Sequence, residues 1–268
     1  MEQCKDDSIA LTITSPPYWD AIDYDKYLRN GNGEQAWYRE REYSQFGDSL
    51  DSYLSNIETV FRDVYRATLK GGFCTVVIGT LLQNGSHYPL PMLLTTRMIE
   101  LGWEFHQDII WNKVTGGVKR AGSYIQHQRA GYYYPNIMTE SILVFRKPGE
   151  KRRGVSESHP IDELFKYDVA NNVWHIAPVP PRTIDHPCPY PLEIVRRLVL
   201  LYSDEGDTVL DPFLGSGQTA LGALNLRRHC IGYDVEQKYI DLAIERINNP
   251  PKTRSHNLIA QFRKIEAI

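Results

Sequence analysis

The stretch Thr208-Val209-Leu210-Asp211-Pro212-Phe213-Leu214-Gly215-Ser216-Gly217, followed by a helical run to about Arg227 and a second apolar run from His229 to Tyr233, most constrains the fold. A strand that passes through a helix and returns to the same sheet must run parallel to its starting point. That predicts an α/β protein with a mostly parallel sheet and helices on both faces. The loop between strand and helix carries Gly215 and Gly217, which let backbone approach a ligand closely, and the helix start offers N–H groups to an anionic group such as a carboxylate. Asp234 ends the second strand, 23 residues after Asp211, where an acidic residue commonly accepts hydrogen bonds from ribose hydroxyls. A nucleoside-type cofactor is expected. The third glycine of Gly-x-Gly-x-x-Gly is missing, which argues against a dinucleotide.

A second stretch supplies chemistry. Ile9-Ala10-Leu11-Thr12-Ile13-Thr14 reads as a buried strand and runs into Ser15-Pro16-Pro17-Tyr18-Trp19. Neither proline can donate to a ladder, and each restricts the residue before it, so the chain leaves the sheet in one stiff shape. The carbonyls of Ser15 and Pro16 are expected to lack sheet partners. A hydroxyl, two fixed acceptors and two aromatic faces suit a flat ring bearing an amino group. A strand end with a Pro-Pro turn and two core aromatics is the competing reading of the hexamer alone.

Between these stretches, apolar spacing predicts helices over Ser49–Leu69, ended by Gly71-Gly72, over Pro91–Leu101, ended by Gly102, and over Pro191–Tyr202. Strands are predicted at Phe73–Gly79, Glu104–Trp111 and Glu140–Arg146, with a short element near Val173–Ile176 and a last helix at Glu236–Ile247. Residues 20–47 read as a long loop, of the kind that is functional or mobile in compact domains.

The 268 residues are 42% hydrophobic and 24% charged, enough for one sizeable core, so a single domain over 1–268 is expected. No apolar run is long enough to span a membrane and no signal peptide is evident, which points to the cytoplasm. Cys4, Cys74, Cys188 and Cys230 form no Cys-x-x-Cys pair, so neither a disulfide framework nor a metal site is suggested. A net charge of −3 argues against a general nucleic-acid binder, yet Trp111 to Arg153 holds nine basic residues against two acidic ones. Such asymmetry suits a polyanion-facing surface, with tyrosines such as Tyr132-Tyr133-Tyr134 placed for unstacked bases.

With both stretches in hand, the chain resembles the S-adenosylmethionine-dependent DNA amino-methyltransferases. Thr14 to Trp19 is similar to their catalytic Ser/Asn/Asp-Pro-Pro-aromatic motif, and Asp211 to Gly217 to their cofactor motif. Gly232-Tyr233-Asp234 with Tyr239, Ala243 and Arg246 matches the strand and helix that follow. His186-Pro187 and Pro191 resemble an additional cofactor motif, although Tyr190 replaces a lysine often found there. The catalytic motif precedes the cofactor motif, the permuted order of the β class. The resemblance implies a Rossmann-like methyltransferase fold with S-adenosylmethionine as cofactor. It implies Ser15, Pro16, Pro17 and Tyr18 as catalytic residues. His186, Pro191, Asp211, Pro212, Phe213, Gly215, Ser216, Gly217, Thr219 and Asp234 would bind the cofactor.

Double-stranded DNA is the implied partner, met by loops at about 20–48, 112–136 and 147–181. Lys113, Lys119, Arg120, Arg129, Lys151, Arg152 and Arg153 are the basic contacts. A homodimer or a companion restriction subunit stays open. Members with Ser-Pro-Pro mostly methylate cytosine N4, so that base is expected, within a restriction-modification system; adenine N6, and an RNA or small-molecule methyltransferase, are the alternatives. One departure stands out. Relatives commonly place a further strand with an acidic residue before the catalytic strand, but only about eight residues precede Ile9 here, which leaves Asn257 to Ile268 as a candidate substitute, or a late start to the chain, or an incomplete cofactor pocket.

Overall fold

The computed structural model describes residues 4–17, 19, 49–83, 86–113, 137–150, 165–180 and 183–250. In chain order its elements are β1 (Ile9–Thr14), α1 (Leu50–Ala67), β2 (Thr68–Ile78), β3 (Leu81–Gln83), β4 (Ser86–Tyr88), α2 (Leu90–Glu100), β5 (Glu104–Asn112) and β6 (Thr139–Arg146). A single turn of π-helix, Phe165–Val169, precedes β7 (Val173–His175), and α3 (Leu192–Tyr202), β8 (Thr208–Asp211), α4 (Gln218–Asn225), β9 (His229–Gly232) and α5 (Gln237–Asn248) complete them.

Seven strands form one sheet in the order β7-β5-β6-β2-β1-β8-β9, and β3 pairs with β4 in a separate hairpin. Every neighbouring pair in the large sheet is parallel except those made by β6, which runs against both β2 and β5. The Rossmann-like α/β reading is thus correct, with permuted motif order, and β6 is the exception to a parallel sheet. Among the described residues β9 has one partner strand, β8.

Two cores cover the sheet. On one face Tyr53, Ile57, Phe61 and Val64 of α1 and Leu94 and Met98 of α2 pack against Val76, Leu143 and Phe145. On the other, Ile194, Val195 and Leu198 of α3 pack against Leu11, Ile13, Val77 and Val209. Full burial of such side chains contributes about 1.5–3 kcal/mol each, so the sheet's middle, where both cores meet, is its most firmly held part.

The α1 boundary differs from the expectation. The helix stops at Ala67 rather than Leu69, and Gly71-Gly72 lie inside β2 instead of ending the helix. Its cap comes from elsewhere: the Thr68 hydroxyl donates to Val64 O at 2.7 Å, and the Lys147 ammonium reaches the carbonyls of Tyr65 at 2.8 Å and Thr68 at 2.7 Å. A cation at a helix C-terminus opposes the partial negative charge there, and no glycine is needed.

Because β1 lies between β2 and β8 and parallel to both, its end points the same way as theirs. Ladder pairing runs to Thr14 opposite Val76 on one side and to Thr12 opposite Leu210 on the other. Ser15 therefore leaves the sheet beside the loop that follows Asp211. Ligands of open α/β sheets bind at this carboxyl edge.

Candidate active site

The centre of the carboxyl edge is a buried carboxylate. Asp211 is fully buried and accepts from the Thr14 hydroxyl at 2.6 Å, the Thr219 hydroxyl at 2.7 Å and the Phe213 N–H at 3.0 Å. The Tyr190 hydroxyl lies 3.1 Å from the same carboxylate and also bonds Thr219. Each hydroxyl has one proton, so a chain in which Tyr190 donates to Thr219 and Thr219 to Asp211 satisfies all three groups. Burial raises the Asp211 carboxyl above its usual range and the hydrogen bonds oppose the rise; burial and the Asp211 charge push the Tyr190 phenol well up, keeping it protonated. Both Asp211 oxygens are spent on protein donors. Asp211 and Thr219 thus stand behind the cofactor loop and fix its start to the end of β1.

The loop itself is shaped by two glycines in the left-handed region, Gly215 at φ +48 and Gly217 at φ +76. A Cβ on Gly215 would sit 2.7 Å from His186 Nε2, and one on Gly217 2.7 Å from the Ala243 Cβ. Neither position has room for a side chain. Asp234 clasps the loop from the end of β9, accepting from the Gly215 N–H at 2.8 Å and the Glu236 N–H at 2.9 Å. Further lone pairs on its oxygens remain for a ligand. Arg246 donates to the Ser216 carbonyl and, at 2.7 Å, to Gln218 Oε1, while Gln218 Nε2 donates to Tyr190 O at 2.7 Å. His186 packs edge-on against Tyr239 with centroids 4.8 Å apart; burial first, then the Arg246 charge, hold it down to about 4, with Asp185 opposing, so it is a neutral imidazole at pH 7.

The remaining expected cofactor residues, Pro191, Pro212 and Ser216, are buried around this loop, and Phe213 is half-buried. Of the expected catalytic residues, Pro16 is buried, Ser15 and Pro17 are half-buried, and Tyr18 lies outside the described residues. Val235, directly after Asp234, is 88% exposed. Tyr190, noted only as a departure from the motif, belongs to the Asp211 network.

The basic stretch divides. Lys113 pairs with Glu140 and lies over the Trp111 ring, Arg146 bonds Glu104 at 2.8 Å, and Lys147 bonds Asp7 at 2.9 Å while capping α1. For Arg146 and Lys147 the reading of an outward polyanion surface is corrected: a count of charges ignores partners brought from distant segments. Lys119, Arg120, Arg129, Lys151, Arg152 and Arg153 lie outside the described residues, as do residues 20–48, 114–136 and 151–164 of the expected DNA-contacting loops. The four cysteines form no disulfide; Cys4 and Cys74 are buried and Cys188 is exposed. Among the described residues no group of three acidic, histidine or cysteine side chains could hold a metal, and no helix is long and apolar enough to cross a membrane.

A family model described as DNA methylase, of the N6/N4 type, matches residues 9–245 and so takes in both motifs. The chain belongs to the N6/N4 DNA methylase family. Among similar proteins, the orphan methyltransferase M.BamHII of Bacillus amyloliquefaciens is 29% identical over 92% of this chain and 92% of its own length. The type II methyltransferase M.SmaI of Serratia marcescens is 30% identical over 88% of this chain and 82% of its own. A protein described as a DNA modification methylase of Thermus thermophilus, complexed with S-adenosyl-L-methionine, superposes with a TM-score of 0.67 at 26% identity, covering 92% of this chain and 88% of that one. The fold is also that of the cytosine-N4-specific PvuII DNA methyltransferase, with a TM-score of 0.65 at 18% identity over 98% of this chain and 87% of that one.

S-adenosylmethionine is accordingly the methyl donor of this N6/N4 methylase, and the loop fits it. Gly215 and Gly217 let the loop turn tightly against His186 and Ala243, and the Asp234 carboxylate beside it keeps acceptor capacity for a polar ligand group. When bound, the donor supplies an electrophilic methyl group on a sulfonium sulfur. The chain's own task is to bind that group, exclude water and bring a target nitrogen into line.

Proposed function

We propose that this methylase modifies the exocyclic amino group of cytosine N4 in a specific sequence of duplex DNA, as the modification partner of a type II restriction system. The observation that carries the reading is the direct tie between the two motifs: Thr14, the residue before Ser15, bonds Asp211, the residue from which the cofactor loop departs. The Ser15 hydroxyl and the Pro16 carbonyl are the acceptors offered at that edge. An exocyclic amino nitrogen is a poor nucleophile because its lone pair is conjugated with the ring. Acceptors that take its N–H groups localise that lone pair and turn it toward the methyl group, so rate comes from positioning and charge matching.

The target lies inside a duplex, so the base must be extruded at a cost of a few kcal/mol and held in a pocket, with Tyr18 as the stacking surface. The basic residues Lys119, Arg120, Arg129, Lys151, Arg152 and Arg153 hold the phosphate backbone, with Lys113 at the margin. Loops 20–48, 112–136 and 147–181 share sequence readout within the single domain. The type II relatives support the restriction-modification setting, and serine before Pro-Pro favours cytosine over adenine.

Enzymatic digestion of methylated DNA followed by mass identification of the nucleosides tests the base. N4-methylcytosine is expected. N6-methyladenine as the sole product would replace cytosine with adenine in the same site, and methyl incorporation that does not depend on duplex DNA would remove the DNA reading.

A further inference from the structure

We infer that Tyr53 is a positioning residue for methyl transfer, its hydroxyl pinning the Pro17 carbonyl and thereby the course of the loop that begins at Ser15. The inference rests on the reading of Ser15 and Pro16 as the acceptors of the target amino group. Tyr53 stands in the first turn of α1, fully buried beside Leu54 and Ile57. Its hydroxyl donates to Pro17 O at 2.9 Å, 36 residues back along the chain. The Trp19 backbone also hydrogen-bonds this hydroxyl, while burial pushes the phenol up and keeps it protonated. One hydroxyl therefore engages the peptide groups on both sides of residue 18. A phenylalanine would fill the same core space, so the oxygen serves the loop.

Why this carbonyl matters follows from the two prolines. Their rings fix φ at Pro16 and Pro17, so the freedom left in the loop is mostly rotation about ψ. Holding the Pro17 carbonyl fixes ψ at that residue and with it the orientation of the peptide group that closes the Pro-Pro segment. The far side of the turn is held separately: Trp19 packs edge-on against Tyr88 of the β3–β4 hairpin, centroids 5.2 Å apart at 82°. On the near side Thr14 is bonded to Asp211. Ser15 and Pro16 sit between a clamp on the cofactor strand and a clamp on α1, and Tyr53 is the polar part of the second.

The test compares Tyr53→Phe and Ser15→Ala with the parent in the full chain, using tritiated S-adenosylmethionine and unmodified bulk DNA. Single-turnover methyl transfer by Tyr53→Phe is expected to fall about tenfold or more, since misplacement of reacting groups is costly. The loss should lie in kcat, with KM for donor and for DNA changed less than about threefold, and the melting temperature should fall by no more than about 4 °C. A transfer rate within twofold of the parent overturns the inference. So does a fall in melting temperature beyond about 10 °C with activity tracking the folded fraction, which would assign the hydroxyl to core stability. Tyr88→Leu, which frees only the Trp19 end, should lower kcat in the same sense; no change in kcat there would count against the clamp. Full activity in Ser15→Ala overturns the site reading on which the inference rests, and a kcat loss in Tyr53→Phe alongside it tells that failure apart from a failure of the clamp.

Discussion

Thr14 and Asp211 stand 197 positions apart in sequence and 2.6 Å apart in space, joined by a buried hydrogen bond at the carboxyl edge of the sheet. In the function proposed above, the residue after Thr14 presents the acceptor for the target base and the residues after Asp211 hold the methyl donor. Replacing Asp211 with alanine strips the Thr14 and Thr219 hydroxyls and the Phe213 N–H of their partner, and removing one side of a buried polar network costs about 3–5 kcal/mol. Asp211→Asn, which keeps an acceptor, and Thr14→Val, which deletes one hydroxyl, should cost about 1–2 kcal/mol each. Urea melts rank the three, and methyl transfer should fall furthest in Asp211→Ala.

Ser15→Ala leaves the cofactor loop untouched. Its transfer rate should drop about 10²-fold, in line with removal of one group matched to transition-state charge, while donor affinity measured by calorimetry stays near the parent's. Equal loss of donor binding would place Ser15 in the wrong half of the site.

Gly215→Ala confronts the new Cβ with His186 Nε2 at 2.7 Å and a φ of +48 with a side chain that disfavours it. The loop must shift. Donor affinity is expected to fall at least tenfold, with DNA binding by gel shift unchanged.

His186 makes donor-loop stability depend on pH. Its imidazole sits at about 4 in the folded chain, below its ordinary value of 6.5, so the fold favours the neutral ring. The stabilisation is fully present above about pH 6.5 and is lost as pH falls toward about 4. Thermal melts across that window should show the parent losing its advantage over His186→Gln as acid is added, with the two curves parallel above pH 6.5.

Lys119→Ala with Arg120→Ala should weaken DNA binding and reduce the slope of log affinity against log salt by roughly one to two, with donor binding intact. An unchanged slope would take this pair out of the phosphate contacts.

Much of this fold was written in local pattern. Ile9–Thr14, the glycine loop after Asp211, and the helices α2, α3 and α5 emerge within a residue or two of where periodicity puts them. What local pattern could not hold was information supplied from far away. The apolar run Thr139–Arg146 looks the same in either direction, so its antiparallel insertion between β2 and β5 carried no local mark. The end of α1 is set by Thr68 and by Lys147, about eighty positions on, rather than by the glycines beside it. Lys147 and Arg146 read as solvent charges because their partners Asp7 and Glu104 are distant in sequence. At the site, Gly215, Gly217 and Asp234 declared themselves through spacing, while Tyr53 looked like any apolar position of a helix face, its hydroxyl invisible to a pattern of burial.

The place of β1 between β2 and β8 has a consequence for how the protein is made. Its first flank is completed by the segment that follows α1, but its second must wait until Thr208–Asp211 has left the ribosome. Until then the nascent chain carries a half-paired apolar strand, an exposed condition that invites chaperones and punishes truncation. Chains ending short of β8 should be found in inclusion bodies rather than as smaller folded units.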